Sequence, residues 1–313
     1  MTGRLQLLSA VREGEGKRAL VTGLAGFTGH YVALELRAAG YEVVGTHVPG
    51  HAHRDEDVRD MVALDLTDRA AVAAVVNELQ PDVVVHLAAI AFVAHSDVEQ
   101  IYRVNVVGTR NLLEALASSP KKPEAVLVAS SANIYGNTSV EVIHEDVPAA
   151  PANDYAVSKL AMEYMVRLWM DKLPIVMVRP FNYTGVGQHE NFLLPKIVAH
   201  FRRKAADIEL GNLHVWRDFS DVRMVAASYR ALLAAKTAGQ VFNVSSGKAY
   251  SLGEAIEMMQ EIAGYKINVH VNPAFVRANE VARLTGDNRR LASVVGAIEP
   301  LPLEQTLRWM YEA

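Results

Sequence analysis

The sequence predicts an α/β fold: a doubly wound parallel sheet with a smaller C-terminal lobe. Three observations carry this. Short apolar, β-branched runs recur without polar alternation, as strands covered on both faces do. Longer segments of helical period separate them, so strand and helix alternate with right-handed crossovers. A glycine-spaced turn joins the first such strand directly to the first helix. The 313 residues, half of them hydrophobic, suffice for a large α/β domain with a smaller partner.

Residues 1–16 read as an extension ending in the soft Glu13-Gly14-Glu15-Gly16. Strands follow at Ala19–Thr22, Val43–Thr46, Val62–Leu64, Val83–Leu87, Val126–Ala129 and Ile175–Val178. Helices fall between them at Phe27–Ala39, Ala70–Leu79 (capped by Asp68), Val98–Ala117 and Tyr155–Met170. After Arg179-Pro180 the texture changes. Asn182–Gln188 reads as a polar, glycine-containing loop. Helices are expected at Leu193–Lys204, Val222–Lys236, Leu252–Ala263 and after Pro302. Short strands are expected at Ile208–Leu210, Val241–Val244 and Ile267–Val271. Residues 17–180 are therefore assigned to the main sheet domain and 181–313 mainly to the second lobe. Residues 221–247 are expected to return to the first domain.

Composition excludes several functions. Acids outnumber bases 35 to 31, so no basic field exists for a nucleic acid or an anionic membrane. Cysteine is absent, which removes disulfides, thiolate metal sites, iron–sulfur clusters and cysteine nucleophiles. His47, His51 and His53, followed by Asp55, Glu56 and Asp57, match no zinc spacing and read as a solvated loop. No bound metal is expected. No signal-like or membrane-length apolar run is present, so a soluble, cytoplasmic protein is expected.

The strand Ala19–Thr22 runs into Gly23-Leu24-Ala25-Gly26-Phe27-Thr28-Gly29 and then a helix. Glycines three apart permit a tight turn and close approach to a pyrophosphate, which the helix N-terminus attracts. An acid that would bind the adenosine ribose is missing from the next strand end, Val44-Gly45-Thr46-His47. With no carboxylate to repel a 2′-phosphate, NADP is favoured over NAD; Arg54 is a candidate partner for that phosphate. Asp65, before Leu66, suits an adenine contact, and Asp68 a helix cap.

Tyr155 and Lys159 are four apart at the start of a helix and share a face. Ser130-Ser131 lies at a strand's carboxyl end, where doubly wound sheets bind ligands. A hydroxyl, a phenol and an ammonium can form an acid–base relay. The phenol's ordinary pKa is about 10, and Lys159 would lower it. Tyr155 could then protonate an alkoxide while Ser131 bonds the same oxygen.

With these residues the chain resembles the extended short-chain dehydrogenase/reductases that act on nucleotide sugars. The matching motifs are Thr22-Gly23-x-x-Gly26-x-x-Gly29, Asp65-Leu66-x-Asp68, His86-Leu87-Ala88-Ala89, Asn105-Val106-x-Gly108-Thr109, Ser130-Ser131-x-x-x-Tyr135-Gly136, Tyr155-x-x-x-Lys159, Arg179-Pro180-Phe181-Asn182 and Arg217-Asp218-Phe219. The resemblance implies Ser131, Tyr155 and Lys159 as catalytic residues. It implies a dinucleotide held by Gly23, Gly26, Phe27, Thr28, Gly29, Asp65, Leu66, Leu87, Ala88, Ala89, Tyr155 and Lys159. Asn105 would have a structural role. Substrate contacts would come from Asn182, Arg217, Arg277 and Glu280, the arginines meeting a diphosphate and Glu280 a ribose. Without the resemblance, Arg217–Asp218 and Arg277–Glu280 would read as surface ion pairs. A homodimer through a four-helix interface, built on the helices at 98–117 and 155–170, is also implied.

Three reactions compete. A 4,6-dehydratase needs an acid two residues before Tyr135, but Asn133 stands there, with Ala132 before it. A 4-epimerase needs only the triad and tightly held NAD, which the acid-free second strand end suits poorly. A 4-ketoreductase needs only hydride and the tyrosine proton. The 179–188 and 210–222 segments look like those of GDP-mannose 4,6-dehydratases and GDP-6-deoxy-D-mannose reductases, with Val186 departing from their usual proline. The expectation is an NAD(P)H-dependent 4-ketoreductase of a GDP-linked 4-keto-6-deoxy sugar. A catalytically silent nucleotide-binding regulator is the alternative of another class.

Overall fold

The computed structural model describes residues 12–50, 61–91, 97–275, 283–296 and 298–313. Strand β1 (Arg18–Thr22) is buried from Ala19 onward. Helix α1 (Phe27–Ala38) turns Val32, Ala33 and Leu36 inward. Strands β2 (Glu42–His47) and β3 (Met61–Ala63) follow. Helix α2 (Arg69–Leu79) starts at Asp68, whose carboxylate accepts from the N–H groups of Ala70 and Ala71 at 3.0 Å each. Strand β4 (Val83–His86) is buried throughout.

The expected continuous helix after Asp97 is three pieces: α3 (Val98–Tyr102), a π-helical turn at Arg103–Gly108, and α4 (Thr109–Ser118). Side chains account for the break. The Asn105 carboxamide is drawn out to the Ile90 backbone, and the Thr109 hydroxyl takes the Asn105 carbonyl at 2.7 Å.

Strand β5 (Ala125–Ala129) leads to a 3-10 turn at Ala132–Tyr135 and the two-residue β6 (Val142–Ile143). Helix α5 (Asp154–Arg167), β7 (Ile175–Pro180), β8 (Asn182–Thr184), α6 (Leu193–Arg202), β9 (Asp207–Leu210) and β10 (Trp216–Asp221) come next. They are followed by α7 (Val222–Ala234), β11 (Val241–Val244), β12 (Ala249–Ser251), α8 (Leu252–Ala263) and β13 (Asn268–Val271). The last elements are β14 (Arg283–Gly286), α9 (Arg289–Val295) and α10 (Leu303–Glu312). A strand, β8, thus replaces the first part of the expected polar loop.

Seven strands form one sheet in the order β11-β7-β5-β4-β1-β2-β3. The β3–β2–β1–β4–β5 pairings are parallel, with Thr22 opposite His86 and Val21 opposite Gly45. Strand order reverses between β1 and β4, the switch point at which such sheets open a crevice.

The chain divides into two compact units. The first draws on the described residues of Met1–Ser130, with Val157–Met177 and Tyr229–Gln240. Its start is tied down by Glu13, which takes two hydrogen bonds from Arg230 at 2.7 and 3.0 Å. The second comprises Ser131–Ala156, Val178–Ser228 and the described residues of Val241–Ala313. There β12-β10-β14-β6 form a small sheet, and β8 pairs with β10. Leu194, Ile197 and Phe201 of α6, Met259 of α8 and Leu307 of α10 share its core. Thr306 donates to Asp221 at 2.7 Å, and the Arg223 guanidinium lies 3.8 Å above the Trp309 ring, so α10 is fastened by polar groups as well. Among the described residues no helix is long and apolar enough to cross a membrane.

Candidate active site

In the first unit the turn after β1 depends on Gly23, whose φ is +72°. A Cβ there would also stand 2.9 Å from the Ala88 backbone. Gly29 is needed for packing: a Cβ on it would meet the Gly23 carbonyl oxygen at 2.4 Å. Helix α1 is capped by Gly26, with no side chain bonded to its first-turn N–H groups, while Phe27 and Thr28 open the helix. The turn is pinned to β2 by the Gly23 N–H, which donates to Thr46 at 3.3 Å.

Beside it, Leu87 N–H donates to the Thr22 carbonyl at 3.2 Å and Ala88 N–H to the Thr22 hydroxyl at 3.3 Å; half-buried Ala89 follows. His86 lies underneath, fully inside. Its Nδ1 is 2.6 Å from the Thr22 hydroxyl and its Nε2 is 2.8 Å from that of Thr109. Thr109 already donates to Asn105, so it accepts from His86 Nε2–H, and Nδ1 accepts from Thr22. Burial, then the Lys159 charge, pushes the His86 pKa down to about 3. His86 is thus the satisfied neutral core residue expected from the sequence.

Asp65 is exposed and accepts from the Thr67 N–H and hydroxyl, both at 2.8 Å. Leu66 is buried, its carbonyl accepting from Asn111 at 2.9 Å. At the end of β5 the Ser130 hydroxyl is buried with no hydrogen-bond partner among the described residues. An uncapped helix start at the switch point and an orphaned hydroxyl fit a dinucleotide in this unit.

Helix α5 carries Tyr155 and Lys159 one turn apart. The Lys159 ammonium donates to the Ala129 carbonyl at 2.8 Å. Burial pushes its pKa down to about 8, opposed by the carboxylate of Glu163, one turn further on and fully buried. Ser158 between them accepts from the Asn105 amide at 3.0 Å, so the π turn helps to seat the helix.

In the second unit Ser131 and Tyr155 share a hydrogen bond. Burial pushes the phenol up to about 12; the Ser131 hydroxyl opposes the rise, and the nearby Tyr183 phenol adds to it. The expected role of Lys159 is corrected here: the pull on the Tyr155 pKa comes from Ser131, while the ammonium is turned to a backbone carbonyl. Ser131 Oγ also accepts from the Asn133 N–H at 3.1 Å and its amide nitrogen at 3.2 Å.

Of the substrate residues, Asn182 is exposed on β8 and donates to the Asp218 carbonyl at 3.3 Å. Arg217 is half-buried and donates to the Trp216 carbonyl at 2.8 Å. Asp218 is no surface group. It is fully buried and accepts from Ser246 N–H (2.9 Å) and hydroxyl (2.6 Å), Gly247 N–H (3.0 Å) and Gly286 N–H (3.2 Å). Burial raises its pKa, and these bonds oppose the rise. Arg277 and Glu280 lie outside the described residues, as do Arg54, His51 and His53. Sequence reasoning missed Glu163 and Tyr183. Glu163 was legible as the second i+4 step from Tyr155; Tyr183 was hidden because only the pairing of β8 with β10 places it.

Comparisons with known proteins agree with this geometry. The family model for GDP-mannose 4,6 dehydratase matches residues 20–310. A GDP-6-deoxy-D-talose 4-dehydrogenase from Aggregatibacter actinomycetemcomitans is 34% identical, over 89% of this chain and 91% of its own. A GDP-6-deoxy-D-mannose reductase from Pseudomonas aeruginosa is 33% identical, over 93% and 95%. A crystal structure from Burkholderia cenocepacia, provisionally named an epimerase, is 53% identical with a TM-score of 0.92, covering 96% of this chain and 98% of that one. The structure of RMD from Pseudomonas aeruginosa complexed with NADPH is 31% identical with a TM-score of 0.82, covering 95% and 98%. Fold and motifs define an extended short-chain dehydrogenase/reductase of the epimerase/dehydratase type. Within that class the chain belongs to the GDP-mannose 4,6 dehydratase family.

Proposed function

We propose that the chain is an NAD(P)H-dependent 4-ketoreductase of a GDP-linked 4-keto-6-deoxy sugar. Its product would be GDP-D-rhamnose or a related 6-deoxy-hexose or heptose derivative. The observation that carries this reading is the Ser131–Tyr155 hydroxyl pair flanked by Ala132 and Asn133, where dehydration would need groups able to exchange a proton. The talose dehydrogenase and mannose reductase names among its relatives support it.

NADP is the favoured cofactor and NAD is possible. Thr46 and His47 close β2 without a carboxylate, and one structural neighbour carries NADPH. Gly23, Gly26, Phe27, Thr28, Asp65, Leu66, Leu87, Ala88, Ala89 and Lys159 would hold it. When bound, it supplies the hydride.

The chain's part is the proton. With a pKa near 12, Tyr155 keeps its phenolic hydrogen at neutral pH and can give it to an emerging alkoxide. Ser131 orients the carbonyl oxygen, and Lys159 anchors the nicotinamide ribose. Arg217 and Arg277 would meet the diphosphate, Glu280 the nucleotide ribose, and Asn182 the sugar.

Tyr164 and Leu168 of α5 are 61% and 75% exposed, which supports a homodimer through α5 and the 98–118 helices; sedimentation tests it. The absence of cysteine and of membrane-length helices among the described residues suits a cytoplasmic enzyme.

The test is NADPH oxidation with GDP-4-keto-6-deoxymannose beside its UDP and dTDP counterparts, with product identification. Stoichiometric NADPH consumption with the GDP substrate is expected. A 4-epimerase is the second reading, favoured by the provisional name of the 53% identical structure. Bound NAD on purification, with turnover but no reductant consumed, would establish that reading instead.

A further inference from the structure

Asn133 is explained so far only by what it is not. Its contacts suggest what it does. A hydroxyl oxygen offers two lone pairs and one hydrogen. At Ser131 both lone pairs are taken by one residue: the Asn133 N–H at 3.1 Å and the Asn133 amide nitrogen at 3.2 Å. The 3-10 turn at Ala132–Tyr135 fixes the first bond through the backbone, whatever the side chain. The second belongs to asparagine.

We propose that Asn133 is a positioning residue that holds the Ser131 hydroxyl as an obligatory hydrogen donor. The hydrogen then points at the oxygen in front of it. In the free chain that is the Tyr155 phenol; a hydrogen donated to that oxygen favours its ionised form, which is the direction in which Ser131 acts. In the proposed ketoreduction, on which this inference rests, it is the substrate carbonyl oxygen, which needs a donor as its charge develops. A carboxylate at the same place would reverse the arrangement. It has no hydrogen to give and would accept the Ser131 hydrogen instead. Asparagine at 133 therefore does more than omit a dehydratase acid. It adapts the serine to reduction.

The prediction is an inverted order of variants. Asn133→Asp preserves shape, and Asn133→Ala does not. If Asn133 merely filled space, Ala would be the more damaging change. If it directs the hydroxyl, Asp is the worse: kcat falls about 100-fold, as for loss of one oxyanion donor, whereas Ala loses less than about tenfold. KM and NADPH affinity should stay near wild type in both, because neither variant touches the glycine turn. Adding Ser131→Ala to Asn133→Asp should cost little more, since the donor is already lost.

A second readout needs no turnover. In protein labelled with 13Cζ-tyrosine and without added ligand, the Tyr155 signal, assigned with Tyr155→Phe, should move in Asn133→Asp and stay nearly in place in Asn133→Ala. An Asp variant as active as the Ala variant, with an unmoved Tyr155 signal, overturns the proposal. If the wild-type protein reduces no nucleotide-linked ketone, the ketoreductase reading fails, and the tyrosine signal alone decides the direction of the Ser131 bond.

Discussion

His86 Nδ1 and the Thr22 hydroxyl are 2.6 Å apart at matching positions of two adjacent parallel strands. They begin a one-way chain of hydrogen bonds. Ala88 N–H donates to Thr22, Thr22 to His86, His86 to Thr109, and Thr109 to the Asn105 carbonyl. Such a chain works only with neutral imidazole. A second proton on His86 would set two donors against each other at Nδ1.

Acid lability is the first consequence. The His86 pKa is about 3 in the folded chain, against an ordinary value near 6.5. Between those values the unfolded chain binds the extra proton, so stability falls as pH falls. The contribution is complete above about pH 6.5 and is lost at about 1.4 kcal/mol per pH unit below it. Urea unfolding from pH 8 to pH 4.5 should show this slope, and His86→Gln should flatten it while lowering stability at pH 8. An unchanged slope in the variant would assign the lability elsewhere.

Cofactor binding should take up protons near pH 8. Lys159 has a folded pKa of about 8 because burial disfavours its charge, and only about half the molecules carry it at that pH. An anionic dinucleotide favours the charged form, so uptake of about half a proton is expected at pH 8 and almost none at pH 6. Calorimetry of NADPH binding in buffers of different ionisation enthalpy measures this directly. Lys159→Met should abolish the uptake. Equal enthalpies in all buffers at pH 8 would contradict it.

The glycines of the first turn should differ in tolerance. Gly23→Ala combines a left-handed backbone with a 2.9 Å approach to the Ala88 main chain. A loss of about 1–3 kcal/mol is expected from the backbone strain alone, with markedly weaker NADPH binding. At Gly26 an added Cβ meets only the Gly23 carbonyl, at 3.2 Å, so Gly26→Ala should fold more normally. Melting temperatures and fluorescence titration with NADPH separate the two.

Tyr155→Phe removes the proposed proton donor with little change in volume. A fall in kcat of about 10²–10⁴-fold is expected, with NADPH affinity retained. Near-normal turnover would remove Tyr155 from the chemistry.

Most sheet strands and the glycine turn were legible because burial on both faces writes itself as unbroken apolar runs. The α8 helix and the β11 strand were read to the residue. What was not legible depends on distant partners. Strand β10 contains Arg217, Asp218, Ser220 and Asp221 and lacks a strand-like apolar run; it is a strand because Asp218 and Asp221 find donors on β14, α10 and the segment after β11. Helical periodicity could not show the interruption after Tyr102, since the polar groups of Asn105 and Thr109 cause it rather than the apolar pattern. At the site, the spacing of Tyr155 and Lys159 was readable. The direction of the lysine ammonium and the donors on Ser131 were not, because they are set by Ala129 and by the fold of the 132–135 turn.

The π turn at Arg103–Gly108 has an implication for how this chain could change over time. A widened turn holds a residue more than an ordinary helical one would need. Deleting one residue there would let the helix run straight and rotate everything beyond it by about 100°. Thr109 would swing away from His86 and Asn111 from Leu66, so one small deletion would disconnect the imidazole from its acceptor and release the loop after β3.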